Sequence, residues 1–349
     1  MAEVSNQHLM GIGPLLDENG QLSEPGYAFS LVKRYDRNKI KAKKSRIKEW
    51  DYYYVSNEDY GVAVTVADNG YMSLVSATVL EFGEKPFDIT KSVMGFFPLG
   101  KLHLPSDSRM GDIDYQGKDG LEMRFFHDGK RRHLICAMPD FGQKGQWFHC
   151  DITLEETNGK SMVIATPFTK KHHFYYNQKI NNQLASGYAK VGEKMYDFNK
   201  NSYGVLDWGR GVWIYRNTWY WCSVNAQLKD GTPIGWNLGY GFGDTKAASE
   251  NMLFIGKNAY KLDDVRMDIP LGPHSKDDFM KPWKFRSSTG DIAMTFTPKY
   301  DRHYDGNYLV LRSNQNQVFG TFSGYFLIEG KQIAFEDLPG FAEKVFNKW

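Results

Sequence analysis

Cysteine is scarce in this chain, and the few residues present are poorly placed for bridging. Cys136, Cys150 and Cys222 are the three cysteines among 349 residues, and no two of them form a Cys-x-x-Cys pair. An odd number of widely spaced cysteines argues against a disulfide framework and against a zinc knuckle. Such cysteines are typical of core thiols in a reducing compartment, so we expect a cytoplasmic protein.

Long hydrophobic runs and an excess of either charge are also missing. No apolar stretch approaches the length of a membrane span, and the first residues lack the basic and apolar regions of a secretory signal. The 43 basic and 41 acidic residues leave a net charge of +2, which gives no general attraction to nucleic acid. We therefore expect no integral membrane segment and no nucleic-acid partner, and the oligomeric state stays open.

Motifs for metals and common cofactors are absent as well. No His-x-His or His-Glu-x-x-His sequence occurs, and the adjacent His172 and His173 would point to opposite faces of a strand. The glycine-rich stretch 239–243 lacks the lysine and hydroxyl residue of a phosphate-binding loop. The sequence therefore predicts neither a metal site nor a cofactor.

Aromatic residues, by contrast, are abundant: 21 Tyr, 23 Phe and 9 Trp make up 15% of the chain. Aromatic side chains favour strands and line apolar or sugar-binding sites. Alternating segments such as 62–67 and 148–155 are separated by turn sequences such as Asp68-Asn69-Gly70. This spacing predicts an all-β sandwich or barrel, with one short C-terminal helix at about Pro339–Phe346.

Two further features concern the organisation of the chain. Residues 33–48 are strongly basic, with Asp36 as the only acid. We interpret this segment as a solvated, partly helical stretch, and an anionic-ligand patch is the alternative. Residues 167–173 are the predicted junction between two halves, which would comprise residues 1–170, with an extended lead-in, and residues 171–349.

The segment 204–243 is the most informative part of the chain because it combines indole rings, arginines and one aspartate. Charge beside so much apolar surface is costly unless it is paired or used. Asp207 is predicted on a shielded face of a strand, where burial raises the pKa of a carboxyl and favours a general acid. An ion pair with Arg210 or Arg216 is the alternative, and it would lower that pKa instead.

The sequence Asp230-Gly231 predicts a hairpin within the same segment. If these two residues form the whole turn, the register places an aromatic plate with polar anchors on one face and glycines on the other. The predicted pairs of the aromatic face are Trp219 with Phe242, Trp221 with Tyr240, Ser223 with Leu238, and Asn225 with Trp236. Such a plate suits the wall of a ligand cavity, and a filled aromatic core is an equal alternative.

Several motifs of the chain resemble the domain-of-unknown-function family 2804. They are Trp50-Asp51-Tyr52, the Tyr176…Lys179…Ser186-Gly187 run, Asp207-Trp-Gly-Arg-Gly211, Arg216-Asn-Thr-Trp-Tyr-Trp221, Glu250-Asn251, Phe319–Gly324 and Leu338–Glu343. The resemblance covers nearly the whole chain. More distantly, the order tyrosine pair, Ser-Gly, Asp, Trp-x-Trp, Asp-Gly is similar to the carotenoid 1,2-hydratases and AttH-like proteins.

This more distant resemblance implies an all-β fold of two lipocalin-like (calycin-like) barrel halves packed together, with few short helices. It also implies a hydrophobic ligand between or inside the barrels. In the hydratases a protein acid is thought to protonate an isolated alkene, after which water adds to the cation. Carried over by position, Asp207 would be the acid, and Tyr176, Trp219 and Trp221 would line the pocket and stabilise positive charge.

Three functions are compatible with these features. The first is hydratase-like or cyclase-like chemistry on an apolar or amphipathic small molecule, such as an isoprenoid or lipid. The second is a non-catalytic carrier or sensor of such a molecule, and the third is a carbohydrate-active protein that uses Asp207 and Glu250. The candidate catalytic residues are Asp207, Arg210 and Glu250. The candidate ligand-binding residues are Tyr176, Trp208, Trp213, Arg216, Trp219, Trp221, Asn225, Trp236, Tyr240 and Asn251.

Overall fold

A computed structural model describes residues 7–157, 159–308 and 311–348. Within these residues the chain forms twenty-four β-strands and four short 3-10 helices. The strands are β1 (Gly13–Pro14), β2 (Gly26–Ala28), β3 (Lys33–Arg34), β4 (Lys48–Ser56), β5 (Tyr60–Asp68), β6 (Met72–Glu81), β7 (Phe87–Phe96), β8 (Ile113–Gln116), β9 (Glu122–His127), β10 (Arg131–Met138), β11 (Phe148–Glu155), β12 (Met162–Pro167), β13 (Phe174–Val191), β14 (Lys194–Phe198), β15 (Tyr203–Val212), β16 (Arg216–Gln227), β17 (Pro233–Tyr240), β18 (Met252–Ile255), β19 (Asn258–Lys261), β20 (Arg266–Asp268), β21 (Trp283–Arg286), β22 (Ile292–Tyr308), β23 (Leu311–Ile328) and β24 (Lys331–Lys348). The 3-10 helices are Arg37–Lys39, Lys44–Arg46, Lys118–Gly120 and Pro273–Ser275.

The first large sheet contains thirteen strands, and its main path runs β7-β6-β5-β4-β15-β13-β11-β10-β9-β8. Strands β12 and β14 pair with β13, and β2 pairs with β12. One face of this sheet is apolar because alternate residues such as Val64, Ile152 and Trp208 point inward and are fully buried. Cys136 and Cys150 lie opposite each other in this core as free thiols.

The second sheet contains nine strands in the order β19-β18-β17-β16-β24-β23-β22-β21-β20. Its core is built around buried aromatic rings, including Trp236, Trp283 and Phe322. Two smaller clusters join residues of both sheets, for example Tyr175 with Phe242 and Tyr54 with Phe341. The protein is therefore an all-β molecule of two curled antiparallel sheets that pack against each other through aromatic side chains, as the sequence predicts.

The chain passes from the first sheet to the second between Val212 and Arg216. Strands β12 and β13 lie on either side of the proposed junction at residue 170, and they pair with each other. The division at that residue stays a prediction. Among the described residues, none of the helices has the length and apolar character that spanning a bilayer requires.

The predicted helix at Pro339–Phe346 is wrong, because these residues lie in the long strand β24. Strand β24 pairs along its length with β23 and, over 340–348, with β16. The alternate residues Leu338 and Ala342 enter the second core, whereas Phe341 packs against Tyr54 of the first sheet. Pairing on both edges and packing on both faces outweigh the weak local preference for helix.

The predicted register of the central hairpin is also wrong, by one residue. Trp221 pairs with Gly239 and Val224 pairs with Trp236, because the turn is not a two-residue turn. Leu228 and Thr232 close a longer loop through a backbone hydrogen bond. A shift of one residue moves one strand's side chains to the opposite face, so Trp236 enters the second core while Trp221 faces the first sheet.

We expect the substitution Gly209→Ala to destabilise the protein by about 1–3 kcal/mol. Gly209 pairs with Trp50, and a methyl group at Gly209 would overlap the Trp50 ring, so the indole would have to move. Denaturant unfolding measures the change. Gly83→Ala is the control because a methyl group there meets no atom within 4 Å, and equal stability of the two variants would contradict this account.

Candidate functional site

A row of three polar side chains crosses the face of the first sheet that points toward the second. Lys179 on β13 pairs with Asp207 on β15, and Asp207 pairs with Tyr52 on β4. Residues that are directly opposite on adjacent strands share one face, so the three side chains lie side by side. The Lys179 Nζ atom is 2.8 Å from Asp207 Oδ2, and both side chains are nearly buried.

A second row crosses the facing side of the second sheet. Register places Gly239, Trp221, Glu343, Gln317 and Arg302 opposite one another on β17, β16, β24, β23 and β22. The Gln317 amide donates to Glu343 Oε2 over 3.2 Å. Arg302 donates to Gln317 Oε1 over 3.2 Å. The row is therefore a hydrogen-bonded chain that ends in a carboxyl group beside the Trp221 indole.

The two rows meet at Trp221. The ammonium group of Lys179 lies 3.8 Å from the centre of the Trp221 ring, and the Tyr52 and Trp221 ring centres are 6.2 Å apart. A cation over an indole face is attracted by the quadrupole of the ring. Lys179 thus contacts a carboxylate of its own sheet and an aromatic ring of the other sheet, and it joins the two halves at this point.

The Asp207 carboxylate is held in place by two side-chain donors. One carboxylate oxygen accepts from Lys179, and the other accepts from the Asn177 side-chain amide over 2.7 Å. Neither donor is an arginine, so the predicted ion pair exists with a different partner. Arg210 is three residues from Asp207 on the same strand and therefore points to the opposite face.

Arg210 belongs to the interior of the first half. It donates to Asp51 Oδ1 over 2.9 Å and to the backbone oxygens of Trp50 and Pro105. Its guanidinium carbon lies 4.2 Å from the centre of the Trp208 ring. Burial raises the pKa of Asp51, and Arg210 opposes that rise. Arg210 is a structural cation here, separated from Asp207 by the thickness of the sheet.

The Glu343 carboxyl has a protonation equilibrium near neutrality. Burial raises its pKa to about 7, and the negative charge of Asp207 adds to the rise, while the hydrogen bond from Trp219 and the charge of Lys179 oppose it. The Trp219 Nε1 atom donates to Glu343 Oε1 over 3.1 Å. A carboxyl that is partly protonated at neutral pH can both give and take a proton.

Glu250 is the third carboxyl of the cluster. A methyl group on Gly239 would lie 2.8 Å from Glu250 Oε1, which shows that the carboxylate rests on the glycine opposite Trp221. Burial raises the pKa of Glu250, Lys179 opposes the rise and Asp207 adds to it. The positive charge of Lys179 therefore acts on the carboxyl groups of Asp207, Glu250 and Glu343. We define these four residues as the central cluster.

Two further polar groups are buried beside the central cluster. The Asn177 side-chain oxygen has no hydrogen-bond partner among the described residues, and the Tyr52 hydroxyl faces the side chain of Gln317. Burial raises the pKa of Tyr52 well above its ordinary value, so the phenol keeps its proton and can donate it in a hydrogen bond. An unsatisfied buried group is costly in a folded protein, so the Asn177 oxygen is a candidate to bind a ligand or water.

The other predicted site residues are distributed over different parts of the molecule. Trp208 and Tyr176 face the first core, where the Tyr176 hydroxyl donates to the backbone oxygen of Lys33. Trp236 is in the second core, and Tyr240 stacks on Tyr220 on that same side. Only part of the predicted set is therefore brought near Asp207.

The remaining predicted residues have local partners. Trp213 packs with Trp50 and Phe242 in the aromatic cluster between the sheets. Asn225 accepts hydrogen bonds from the Asn181 side chain and the Asn182 backbone. The Asn251 side chain accepts from the backbone nitrogen of Gly239 and donates to the backbone oxygen of Asp263, and Arg216 is exposed at the start of β16.

Lys179, Glu343 and Tyr52 were not among the residues predicted from the sequence. Each of them lies in a segment that carries the family resemblance, which was the available signal. Strand order was needed to bring these segments together, because β4 is distant in the chain from β13 and β15, and β24 lies still further along it.

Neither of the two cavities described here contains the central cluster. One, of about 990 Å³, lies against the basic segment near the start of the chain, and one of about 260 Å³ lies beside Asn251 and Tyr240. In the described ranges, no three His, Cys, Asp or Glu residues are arranged to hold a metal ion.

Comparison with known proteins places this geometry in a wider context. A family model described as a domain of unknown function (DUF2804) matches residues 6–349. No curated protein sequence gives a significant match. Kievitone hydratase from Nectria haematococca has a similar structure, with a TM-score of 0.53 and 12% identity over 86% of this chain and 88% of that one.

An AttH protein from Nitrosomonas europaea is also similar in structure, with a TM-score of 0.50 and 12% identity over 90% of this chain and 97% of that one. Identity at this level shows a shared fold and nothing finer. The chain thus shares the fold of these two proteins, in agreement with the distant resemblance to AttH-like proteins.

Proposed function

The chain belongs to the DUF2804 family, and we propose that it adds water to, or removes water from, an apolar or amphipathic small molecule held between its two halves. The observation that carries the proposal is the central cluster. It combines Glu343, whose pKa is raised to about 7 by burial, with Asp207, a second carboxyl group that pairs with Lys179 and accepts from Asn177. Two carboxyl groups with different surroundings can act as proton donor and proton acceptor in the acid–base catalysis of hydration.

The catalytic roles that we assign to the carboxyl groups differ from the distant resemblance, which implies that Asp207 is the acid. Asp207 is paired with Lys179 and Asn177, and we assign it the role of the base that accepts a proton from water. Glu343 is the better proton donor because burial keeps it partly protonated at neutral pH. In hydration, Glu343 transfers its proton to a carbon of the double bond, and water attacks the other carbon while Asp207 takes the proton that the water loses.

The surroundings of the central cluster support an apolar or amphipathic substrate. The rings of Tyr52, Trp219 and Trp221 adjoin the carboxyl groups, and Tyr52 and Trp219 are only partly buried, so the site reaches solvent on that side. Aromatic rings favour apolar ligands, and the Asn177 side-chain oxygen offers an unused acceptor for one polar group of the ligand. The buried, free thiols support a reducing compartment, and we propose the cytoplasm.

Incubation of the purified protein with isoprenoid alkenes and with kievitone in ¹⁸O-labelled water tests this proposal. We expect mass spectrometry to find a product that contains one labelled water and that forms at a rate proportional to protein concentration. Heat-denatured protein is the control. A compound that is retained on gel filtration without reacting would instead support a carrier, and release of nitrophenol from nitrophenyl glycosides would support a carbohydrate-active protein that uses Asp207 and Glu250.

A further inference from the structure

The larger cavity, of about 990 Å³, lies away from the central cluster and has features of a second binding site. Its floor includes Leu16, Ile47 and Leu104, which belong to the first core. Its wall includes the basic segment that follows β3 and the loop that follows β7. A cavity with an apolar floor and a charged wall suits a ligand that has both kinds of surface.

Positive charge dominates the wall of this cavity. The lining contains four basic residues and two acidic ones. The basic residues are Arg34, Arg37, Lys39 and Lys44, and the acidic residues are Asp36 and Glu49. Both carboxylates already have local partners: Glu49 accepts from the Tyr35 hydroxyl and from Arg37, and Asp36 accepts from the backbone nitrogen of Asn38. Within the described part of the chain, Arg34, Lys39 and Lys44 form no ion pair, so their charges are available to an anion.

Arg37 supplies a second and independent indication. Its Nη1 atom donates to Glu49, whereas its Nη2 atom is buried and has no hydrogen-bond partner among the described residues. The guanidinium lies against Gly100, where a methyl group would come within 2.6 Å of Nε, and its position is therefore restricted. A fixed guanidinium with an unused N–H matches the oxygens of a carboxylate or phosphate.

We propose that this cavity binds an amphiphile whose anionic headgroup, a carboxylate or a phosphate, contacts Arg37, Lys39 and Lys44 while its tail lies on the apolar floor. The sequence left two interpretations of residues 33–48 open, a solvated stretch and an anionic-ligand patch, and the proposal agrees with the second. Phe96, the last residue of β7, and Phe97 are strongly exposed shortly before Leu99, a lining residue.

Calorimetric titration of the full chain with lauric acid and dodecyl phosphate tests the proposal. We expect saturable binding that weakens about tenfold, or about 1.4 kcal/mol, in the double variant Lys39→Ala, Lys44→Ala, because this variant removes two of the positive charges that face the headgroup. The matched control is Lys41→Ala, Lys43→Ala, which removes the same charge from exposed residues of the same segment that do not line the cavity. The control variant should bind as the wild type does.

Two comparison ligands make the proposal falsifiable. Dodecanol has the tail without the charge and inorganic phosphate has the charge without the tail, so both should bind much more weakly. Equal binding of either one, equal losses in the two double variants, or absence of binding would overturn the proposal. Stronger binding of lauric acid or of dodecyl phosphate would support it and identify the headgroup. The variant Glu343→Gln should bind normally, which separates this site from the proposed hydration chemistry.

Discussion

Replacement of Lys179 by methionine should lower the free energy of unfolding by about 3–5 kcal/mol, which is the usual cost of breaking a buried ion pair from one side. Methionine keeps the length of the side chain but removes the charge. Asp207 would then be nearly buried with only Asn177 as a donor. The contact between the ammonium group and the Trp221 ring, which joins the two halves, would also be lost. Urea unfolding followed by circular dichroism measures the change.

Two controls separate this effect from a general loss of charge. Lys194→Met breaks an ion pair with Glu81 at an exposed site, and we expect a change below about 1 kcal/mol. The double variant Lys179→Met, Asp207→Asn should recover part of the loss because the carboxylate that pairs with Lys179 is removed together with it. A Lys179→Met protein as stable as the Lys194→Met protein would show that the central pair does not stabilise the fold.

The substitution Glu343→Gln should reduce the turnover measured in the ¹⁸O assay by about 10²–10⁴-fold, the usual contribution of a general acid. Glutamine preserves the shape of the side chain and can still accept the hydrogen bond from Trp219. Glu336→Gln, an exposed residue on the same strand, is the matched control and should leave turnover unchanged. Full activity of Glu343→Gln would exclude Glu343 as the proton donor.

The same variant has a pH signature that does not depend on knowing the substrate. Because burial raises the pKa of Glu343 from 4.5 to about 7, the folded protein binds more protons than the unfolded chain between these values. The free energy of unfolding therefore falls as pH rises through this range, by on the order of 2–3 kcal/mol. Glu343→Gln should lack this decline, so its stability relative to the wild type should increase from pH 4.5 to 7. Parallel stability curves would contradict the raised pKa.

The sequence predicted some residues of the candidate site correctly and missed or misplaced others. Asp207 was predicted to be shielded and in need of a partner, and it is nearly buried in an ion pair. Its partner could not be identified, because Arg210 is close in sequence yet points to the other face, whereas Lys179 is distant in sequence and adjacent in the sheet. Trp219 and Trp221 were predicted to adjoin the site, but Trp236 was assigned to the wrong face by a turn of the wrong length.

What the sequence determined by itself is the local pattern: an all-β chain, strands such as β11 in which buried residues alternate with more exposed ones, and the family to which the chain belongs. These properties depend on alternation and on motifs that are contiguous in the chain. Only the tertiary structure decided which strands are neighbours, and it thereby brought Lys179, Asp207 and Tyr52 into one row and Glu343 into the row that faces them. The physical reason is that the interaction between two charges depends on the distance between them and on their burial. In an antiparallel sheet both quantities are set by strand order and register, and no single segment of the chain determines these.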